Sequence, residues 1–496
     1  MSSIYEENRS KKHFKKEKAM KIKRVVFVLV IMILMTGSIS AGATSAIESE
    51  ILDTWTLDTI NGDAPGVANI STIFVGEREI PYMIYVQEGV NNIFQVWEAT
   101  EASPGNCGTD NKWVCHDIDT AEPFIYISNL ATETYPDTFV LAYAYPYNSK
   151  IWGSSLEYYH NMVFVDDHSE SLIELGKFGS NVSLAGPPSI AHIGGHFRMA
   201  VTLKESSGDF YKYKLVYLYY KGGSNTSCRL TGTSGYDCIV IEETGWGSIN
   251  AMGSPALIYK DGKTRVLYNK ENAIRYAYPW TDLLLKPSNC GVEGNTWRCI
   301  DLEAPEAPTT VGLKVDLAVG KGINDLAAAY TVKATPTSEY DSLMRAKYVG
   351  SGGNCGGDVT VFGDPIYTWD CGDVDNWIDD INVTTFHIAY DDRNFPVISY
   401  NNILVDDEYA RQRLYVAYDK GRVGLPGAGT WDQFLVDGNN QSTTGYQSDI
   451  AFSSNGRAFI GYWQPHFQSG FFIDLTPNLK VATQWFTHTY LPGIMK

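Results

Sequence analysis

The segment Trp297-Arg-Cys-Ile-Asp-Leu-Glu303 decides the fold, because close variants of it recur along the chain. In three of the four copies the cysteine is preceded by a second cysteine in the loop before it, as in Asn289-Cys290-Gly291. The segment therefore predicts the last, outermost strand of a repeated unit, to which a disulfide pins the preceding loop. The other copies read Trp113-Val-Cys-His-Asp-Ile-Asp119, Trp369-Asp-Cys-Gly-Asp-Val-Asp375 and Trp431-Asp-Gln-Phe-Leu-Val-Asp437.

Three further strands precede this one in the unit. An apolar opening strand, such as Phe386-His-Ile-Ala-Tyr390, occurs seven times. A second strand often ends in tyrosine, as at Tyr268 and Tyr400, and a third strand follows it. The turns after the opening strands include Lys260-Asp-Gly262, where glycine supplies the positive φ that a tight hairpin requires. Four short strands repeated along a chain indicate the blades of a β-propeller.

The last unit lacks its fourth strand, and a matching segment lies at the other end of the chain. Thr54-Trp-Thr-Leu-Asp-Thr-Ile60 resembles Thr430-Trp-Asp-Gln-Phe-Leu-Val436. The sequence thus predicts an all-β fold, a seven-bladed β-propeller of four-stranded blades whose ring is closed by an N-terminal strand. The blades would start near residues 68, 123, 187, 252, 314, 384 and 447, with residues 54–60 completing the last. The alternative is a six-bladed ring with an extra hairpin.

Residues 1–43 have the pattern of a secretory signal peptide. Basic residues end at Arg24, an apolar run extends from Val25 to Met35, and Ala41-Gly-Ala43 has the A-x-A form of a cleavage site. The alternative is an uncleaved anchor, although a spanning helix needs about 20 apolar residues. We expect residues 44–496 to form a single propeller domain, secreted or at the cell surface, with no stable membrane insertion after cleavage.

The eight cysteines fall into four close pairs, all after the signal segment. The repeat favours pairing of nearest neighbours, and the spacings do not match a zinc site. Disulfides form in oxidising compartments, which agrees with export. The predicted bonds are Cys107–Cys115, Cys228–Cys238, Cys290–Cys299 and Cys355–Cys371.

The charge balance excludes one class of partner. The chain has 39 Lys and Arg against 57 Asp and Glu, a net charge of −18, and the signal segment holds nine of the basic residues. Binding to nucleic acid relies on Lys and Arg that neutralise phosphates, so no nucleic-acid partner is expected.

The repeat resembles that of secreted bacterial and archaeal propeller proteins, which are loosely grouped with sialidase-like propellers and are mostly uncharacterised. The resemblance rests on the opening strand, the second strand ending in tyrosine and the W-x-C-x-x-V-D strand, and it covers nearly the whole chain after the signal. It implies the fold and export but little about activity, because propellers host unrelated functions. The Asp-box of sialidases is not matched, since Gly427-Ala-Gly-Thr-Trp431 shares only its tail.

Residues that break the repeat are the candidates for function. Loops between the second and third strands, and between the fourth strand and the next blade, open on the same face of a propeller. Exposed aromatic rings beside carboxylates suit a sugar, because rings stack on C–H groups and acids accept hydroxyl hydrogen bonds. The alternative is solvated loop residues. Tyr211 and Asp209 belong to this group in the third blade, and the predicted ligand-binding residues are Trp152, Tyr340, Trp377, Asp406, Asp407, Trp463 and His466.

Calcium is the one cofactor that the sequence suggests. Acidic runs offer the oxygen ligands that this ion prefers, although they lack the spacing of a dedicated calcium loop. A solvated acidic turn is the alternative. The candidate ligands are Asp379, Asp380, Asp406, Asp407 and Glu408.

No catalytic motif is present, since neither H-E-x-x-H nor G-x-S-x-G occurs. The sequence therefore favours an extracellular binding or adhesion module that presents its loop face to a glycan or a cell-surface protein. The alternatives are a glycoside hydrolase or lyase of the sialidase-like type, and a structural subunit of a cell-surface assembly.

Overall fold

A computed structural model describes residues 55–485 of the chain, with gaps. Residues 1–54 and 55–496 divide into two units, of which only the second contains described residues. The gaps are 62–70, 77–78, 89–93, 122–125, 128–130, 133–138, 149–157, 167–172, 178–181, 194–195, 225–233, 248–251, 281–287, 292–295, 304–309, 323, 334–340, 360–364, 379–384, 404–411, 420–430, 439–443, 465–466, 469–471 and 474–477.

The described part of the chain is all-β, apart from one turn of 3₁₀ helix at Thr109–Asn111. In chain order the strands are β1 (Thr56–Asn61), β2 (Ser71–Val75), β3 (Pro81–Glu88), β4 (Phe94–Glu101), β5 (Trp113–Ala121), β6 (Tyr126–Ile127), β7 (Ala131–Thr132), β8 (Phe139–Asn148), β9 (Tyr158–Asp166), β10 (Ile173–Lys177), β11 (Val182–Leu184), β12 (Ser189–Ile193), β13 (His196–Ser207), β14 (Phe210–Ser224), β15 (Ser234–Glu243), β16 (Ala256–Lys260), β17 (Lys263–Lys270), β18 (Ala273–Pro279), β19 (Trp297–Glu303), β20 (Thr310–Val319), β21 (Leu326–Lys333), β22 (Asp341–Tyr348), β23 (Cys355–Val359), β24 (Pro365–Ile378), β25 (Phe386–Tyr390), β26 (Pro396–Ile403), β27 (Gln412–Asp419), β28 (Trp431–Asp437), β29 (Tyr446–Phe452), β30 (Arg457–Gln464), β31 (Phe467–Gln468), β32 (Phe472–Ile473) and β33 (Asn478–Trp485).

Within the described residues, these strands form seven antiparallel sheets of four or five strands and one two-stranded pair, β31–β32. Sheets 1, 4 and 6 are four-stranded meanders, built from β2–β5, β16–β19 and β25–β28. Sheet 2 contains β6–β10, sheet 3 contains β11–β15 and sheet 5 contains β20–β24. Multiple antiparallel sheets of about four strands confirm the predicted fold class at this level.

Sheet 7 draws its strands from both ends of the described chain, in the order β29, β30, β33, β1. Strand β1 pairs antiparallel with β33, from Thr56 opposite Thr483 to Asn61 opposite Leu479. The segment that the sequence matched to a fourth strand, residues 54–60, thus largely coincides with a strand in the outermost position of the last sheet.

Sheet 5 differs from the prediction by an additional strand. The sequence placed Cys355 in a loop, but β23 pairs with β24 beyond the predicted fourth strand, with Cys355 opposite Trp369. The Cys355–Cys371 disulfide holds this segment against β24 closely enough for a ladder to form.

Three of the four predicted disulfides are present among the described residues: Cys107–Cys115, Cys290–Cys299 and Cys355–Cys371. Cys238 is also disulfide-bonded. Its predicted partner, Cys228, lies outside the described residues.

The hairpin turns have the positive φ values that the sequence predicts. Asp261 and Gly262 join β16 to β17 with φ values of 51° and 75°, which is the left-handed pair that a two-residue hairpin needs. Gly456, in the turn between β29 and β30, has a φ of 84°.

The apolar core lies between neighbouring sheets. One cluster joins Ile73 and Met83 of sheet 1 to Phe459, Trp463 and Leu479 of sheet 7. Similar clusters join sheets 3 and 4, sheets 4 and 5, and sheets 5 and 6. The opening strands also contact one another, in the pairs β2–β29, β29–β25, β25–β20, β20–β16 and β16–β12. In the part of the chain that is described, no helix is long and apolar enough to cross a membrane.

Candidate aromatic and polar sites

Most of the predicted site residues lie outside the described part of the chain. These are Trp152, Tyr340, Asp379, Asp380, Asp406, Asp407, Glu408 and His466, which include every predicted calcium ligand. The backbone of Trp377 lies near the end of β24. Predictions for these residues remain predictions.

Trp463 is not the exposed loop aromatic that the sequence suggested. It lies within β30 with 1% of its surface exposed, and its ring meets that of Tyr85 edge-on at 6.3 Å between centroids. A side chain enclosed between sheets 1 and 7 cannot stack on a ligand. We therefore assign Trp463 to the core, and remove it from the candidate site.

The hairpin between β13 and β14 is longer than its counterpart in sheet 4. Ile190 pairs with Met199 in sheet 3, and Leu257 pairs with Val266 in sheet 4, at equivalent places. From there β13 continues for eight residues to Ser207, whereas β17 continues for four residues to Lys270. At about 3.3 Å per residue, each arm of the sheet 3 hairpin is longer by about 13 Å.

This hairpin and the loop after β15 carry three exposed aromatic side chains, which we call the aromatic tip. Phe210 is 61% exposed, Tyr211 39% and Trp246 51%. Trp246 follows β15 in the loop that runs alongside the hairpin, where the Gly247 N–H donates to the Tyr211 carbonyl at 3.0 Å. Aromatic rings as exposed as these are removed from water only when a binding partner covers them. The aromatic tip is therefore a candidate binding surface.

The aromatic tip has two faces. Successive strand residues point to opposite sides, so Phe210 and Lys212 share one face and Tyr211 lies on the other. Phe210 packs over Gly247, so that a Cβ at Gly247 would lie 3.3 Å from the ring, and Trp246 lies on the side of Lys212, whose Nζ is 6.0 Å from the centre of its ring. On the opposite face, Lys204 Nζ lies 3.8 Å from the centre of the Tyr211 ring.

Polar groups flank the Phe210–Trp246 face. Lys212 forms an ion pair with Glu243 at 2.7 Å, and its Nζ lies 6.0 Å from the centre of the Trp246 ring. Glu243 keeps 34% of its side chain exposed, so a carboxylate remains open to a ligand next to the rings. The sequence had identified Tyr211 and Asp209, but not Phe210 and Trp246, although both loops belong to the set expected to carry function.

A second group of polar side chains lies where the opening strands of sheets 5, 6 and 7 meet. His387 Nδ1 is 3.2 Å from Asp316 Oδ2 and 3.3 Å from Asp449 Oδ1. Burial lowers the pKa of nearby Lys314 to about 8, against the opposing effect of the two carboxylates. Burial opposes ionisation of Asp316, but His387 and the Ile388 N–H outweigh it, and the pKa of Asp316 falls below its ordinary value.

This cluster connects sheets 5, 6, 7 and 1. Asp316 accepts the backbone N–H of Ile388 at 2.8 Å, and Asp449 accepts that of Ile73 at 3.0 Å. Ser189 accepts the N–H of Leu257 in the same way between sheets 3 and 4. Since a polar side chain at this repeat position holds the next opening strand in each case, we assign Asp316 and Asp449 a structural role. Among the described residues, no group of three or more His, Cys, Asp or Glu could hold a metal ion.

A groove of about 470 Å³ lies between β19 of sheet 4 and the outer strands of sheet 5. Its lining includes Asp301, Leu302, Met344, Tyr367 and Asp373. The sequence contained no signal for it, because the Asp residues occupy ordinary repeat positions and the wall forms only when β23 pairs with β24.

Comparison with known proteins gives distant structural similarity only. No protein-family model and no curated protein matches the sequence. A protein of unknown function from Dyadobacter fermentans has a TM-score of 0.43 and 9% identity, over 87% of this chain and 98% of that one. The polysaccharide lyase Uly1 has a TM-score of 0.41 and 12% identity, over 86% and 90% of the two chains.

AofleA from Arthrobotrys oligospora has a TM-score of 0.38 and 10% identity, over 77% of this chain and 91% of that one. At these scores and identities the similarities do not decide what this chain binds.

Proposed function

We propose that residues 44–496 form one seven-bladed propeller, closed by β1, and act outside the cell as a glycan-binding or adhesion module. The ring is supported by the β1–β33 pairing and by the contacts that link opening strands from β2 through β29 to β12. Secretion is supported by the signal pattern of residues 1–43 and by the three disulfides.

The aromatic tip is the observation that carries the binding proposal. A pyranose presents an apolar face that stacks on an indole or phenyl ring, and its hydroxyls need acceptors and donors at the rim. The Phe210–Trp246 face offers the rings, and the adjacent Glu243 and Lys212 offer the polar groups. The ion pairs Lys212–Glu243 and Lys214–Glu205 leave the hairpin nearly neutral in an acidic protein, so it does not repel neutral or acidic sugars.

The test is a glycan array probed with the protein from residue 44, in calcium and in EDTA. We expect Trp246→Ala to weaken binding about tenfold or more, because truncating an aromatic anchor typically costs about 2 kcal/mol. Tyr211→Ala is the matched control: it removes a similarly exposed ring from the other face of the same hairpin, and binding should persist.

Other results would change the proposal. Equal loss in both variants would place binding on the hairpin as a whole, and unchanged binding in Trp246→Ala would contradict the role of this face. Failure to bind any glycan would favour a protein partner or a structural subunit. Conversion of a bound glycan would favour the hydrolase or lyase. Loss of binding in EDTA would support the calcium prediction.

A further inference from the structure

The groove between sheets 4 and 5 has the size of a ligand site. Its volume of about 470 Å³ falls within the range of about 300–1,000 Å³ that small-molecule sites occupy. It lies between β19 and the segment held by Cys355–Cys371, so a disulfide and a β-ladder fix the wall formed by β23 and β24. This site is separate from the aromatic tip, which belongs to sheet 3.

Apolar side chains form part of the floor and of one wall of the groove. Leu302 is buried at 3% exposure, and Met344 packs in the same core. Tyr367 stands at the wall with 48% of its surface exposed, and its ring lies against Gly357, where a Cβ would be 3.6 Å away. A half-exposed ring above an apolar floor can stack on the C–H face of a sugar ring.

The polar groups of the groove are acidic. Asp301 and Asp373 line it, and among its described lining residues there is no Lys or Arg. Asp301 accepts the Arg275 Nε–H at 2.6 Å and keeps half of its side chain exposed. The chain around them has a net charge of −18. The local field therefore favours a ligand that carries positive charge and disfavours acidic sugars.

We propose that this groove binds an amino sugar, with its ring against Tyr367 and its ammonium between Asp301 and Asp373. An ammonium group donates up to three hydrogen bonds and matches two carboxylates, whereas an acetylated amine has no charge. This site is independent of the aromatic tip. It is a second carbohydrate site, and it prefers positively charged sugars over acidic ones such as sialic and uronic acids.

The test is titration of the protein from residue 44 with a glucosamine oligomer, followed by calorimetry. We expect Asp373→Asn to weaken binding about tenfold and Tyr367→Ala at least as much, with Tyr367→Phe close to the unmodified protein. Binding should weaken as ionic strength rises toward about 0.5 M, because exposed charges are screened. The matched control is Asp117→Asn, which changes the equivalent repeat position on the exposed part of β5 in sheet 1.

Several outcomes would overturn the proposal. They are absence of binding at millimolar sugar, equal binding of N-acetylglucosamine oligomers, equal binding of hexalysine, and equal losses in Asp117→Asn and Asp373→Asn. If Trp246→Ala abolished glucosamine binding while Tyr367→Ala did not, the ligand would belong to the aromatic tip. If Tyr367→Ala lost glucosamine binding while glycan binding at the aromatic tip remained, the result would support the groove as the amino-sugar site and would be consistent with the proposed function.

Discussion

Tyrosines of the second strands connect sheets 4, 6 and 7 to the sheet before each of them. The Tyr400 hydroxyl donates to Asp375 at 3.0 Å, and the Tyr462 hydroxyl donates to Asp437 at 2.7 Å. In sheet 4, Tyr268 donates to Glu242 at 2.6 Å. Burial, followed by the nearby carboxylate, raises the pKa of each of these tyrosines, so they remain protonated donors.

These bonds explain the composition of the repeat. A buried hydroxyl requires an acceptor, and the acids at the ends of fourth strands provide it. The sequence showed both the recurring tyrosine and the recurring acid. The pairing between them was not visible, because the partners lie on different units of the repeat.

We predict that Tyr400→Phe lowers the free energy of unfolding by about 1–3 kcal/mol. Asp375 is only 7% exposed, and it would lose a hydrogen-bond donor that water cannot easily replace. Urea denaturation monitored by fluorescence measures the change. Tyr367→Phe is the control, since its ring is 48% exposed and the change should stay within about 0.5 kcal/mol. Equal effects of the two substitutions would contradict a specific role for the Tyr400 bond.

At the scale of elements, the loops before the disulfide-bearing strands β5, β19 and β24 are built the same way. The Asn289 side chain accepts the Cys299 N–H at 2.7 Å and donates to the Cys299 carbonyl at 2.8 Å, as a neighbouring strand would. Asn106 and Asn354 make the same two bonds to Cys115 and Cys371.

The glycine of each Asn-Cys-Gly sequence completes this element. Gly108 and Gly356 have φ values of 79° and 66°, and a Cβ there would lie within 2.6 Å of the indole of the following Trp113 or Trp369. The positive φ and the close indole both require glycine. The asparagine side chain pairs with the backbone N–H and carbonyl at the strand edge. The glycine, which has no Cβ, leaves room for the tryptophan ring, and the disulfide holds the loop to the strand.

Replacing both Cys290 and Cys299 with serine should lower the free energy of unfolding by about 2–3 kcal/mol. The bond closes a loop with a sequence separation of 9, and the chain-entropy model gives this magnitude for short loops. Thermal unfolding in oxidising buffer, compared with the unmodified protein, measures the effect. A Tm unchanged by the double substitution would show that the Asn289 bonds alone hold the loop.

For the whole molecule, β1 joins the start of the described chain to its last sheet. It covers the outer edge of β33, and Ile60 is 1% exposed in the core that sheets 1 and 7 share. Without it, β33 would present a row of unpaired backbone groups, which template pairing with other chains.

We therefore predict that deleting residues 44–61 lowers the Tm and produces oligomers or aggregates, as measured by size-exclusion chromatography and calorimetry. Deleting residues 44–53 is the matched control, because it leaves β1 whole. That variant should have the same Tm and the same elution volume as the protein that begins at residue 44. A monomer of undiminished stability after the longer deletion would contradict the closing role of β1.

The sequence by itself determined the repeat, the strands and their turns, because each depends on local patterns of apolar residues, glycines and cysteines. It also identified the terminal segment that completes sheet 7, since Thr54, Trp55 and Ile60 repeat the pattern of Thr430, Trp431 and Val436. Tertiary structure alone decided that Trp463 is buried, because burial depends on which sheet lies opposite. It also decided that Phe210 lies against Gly247, and that Asp301 and Asp373 share a groove, because these residues are far apart in the chain and only packing brings them together.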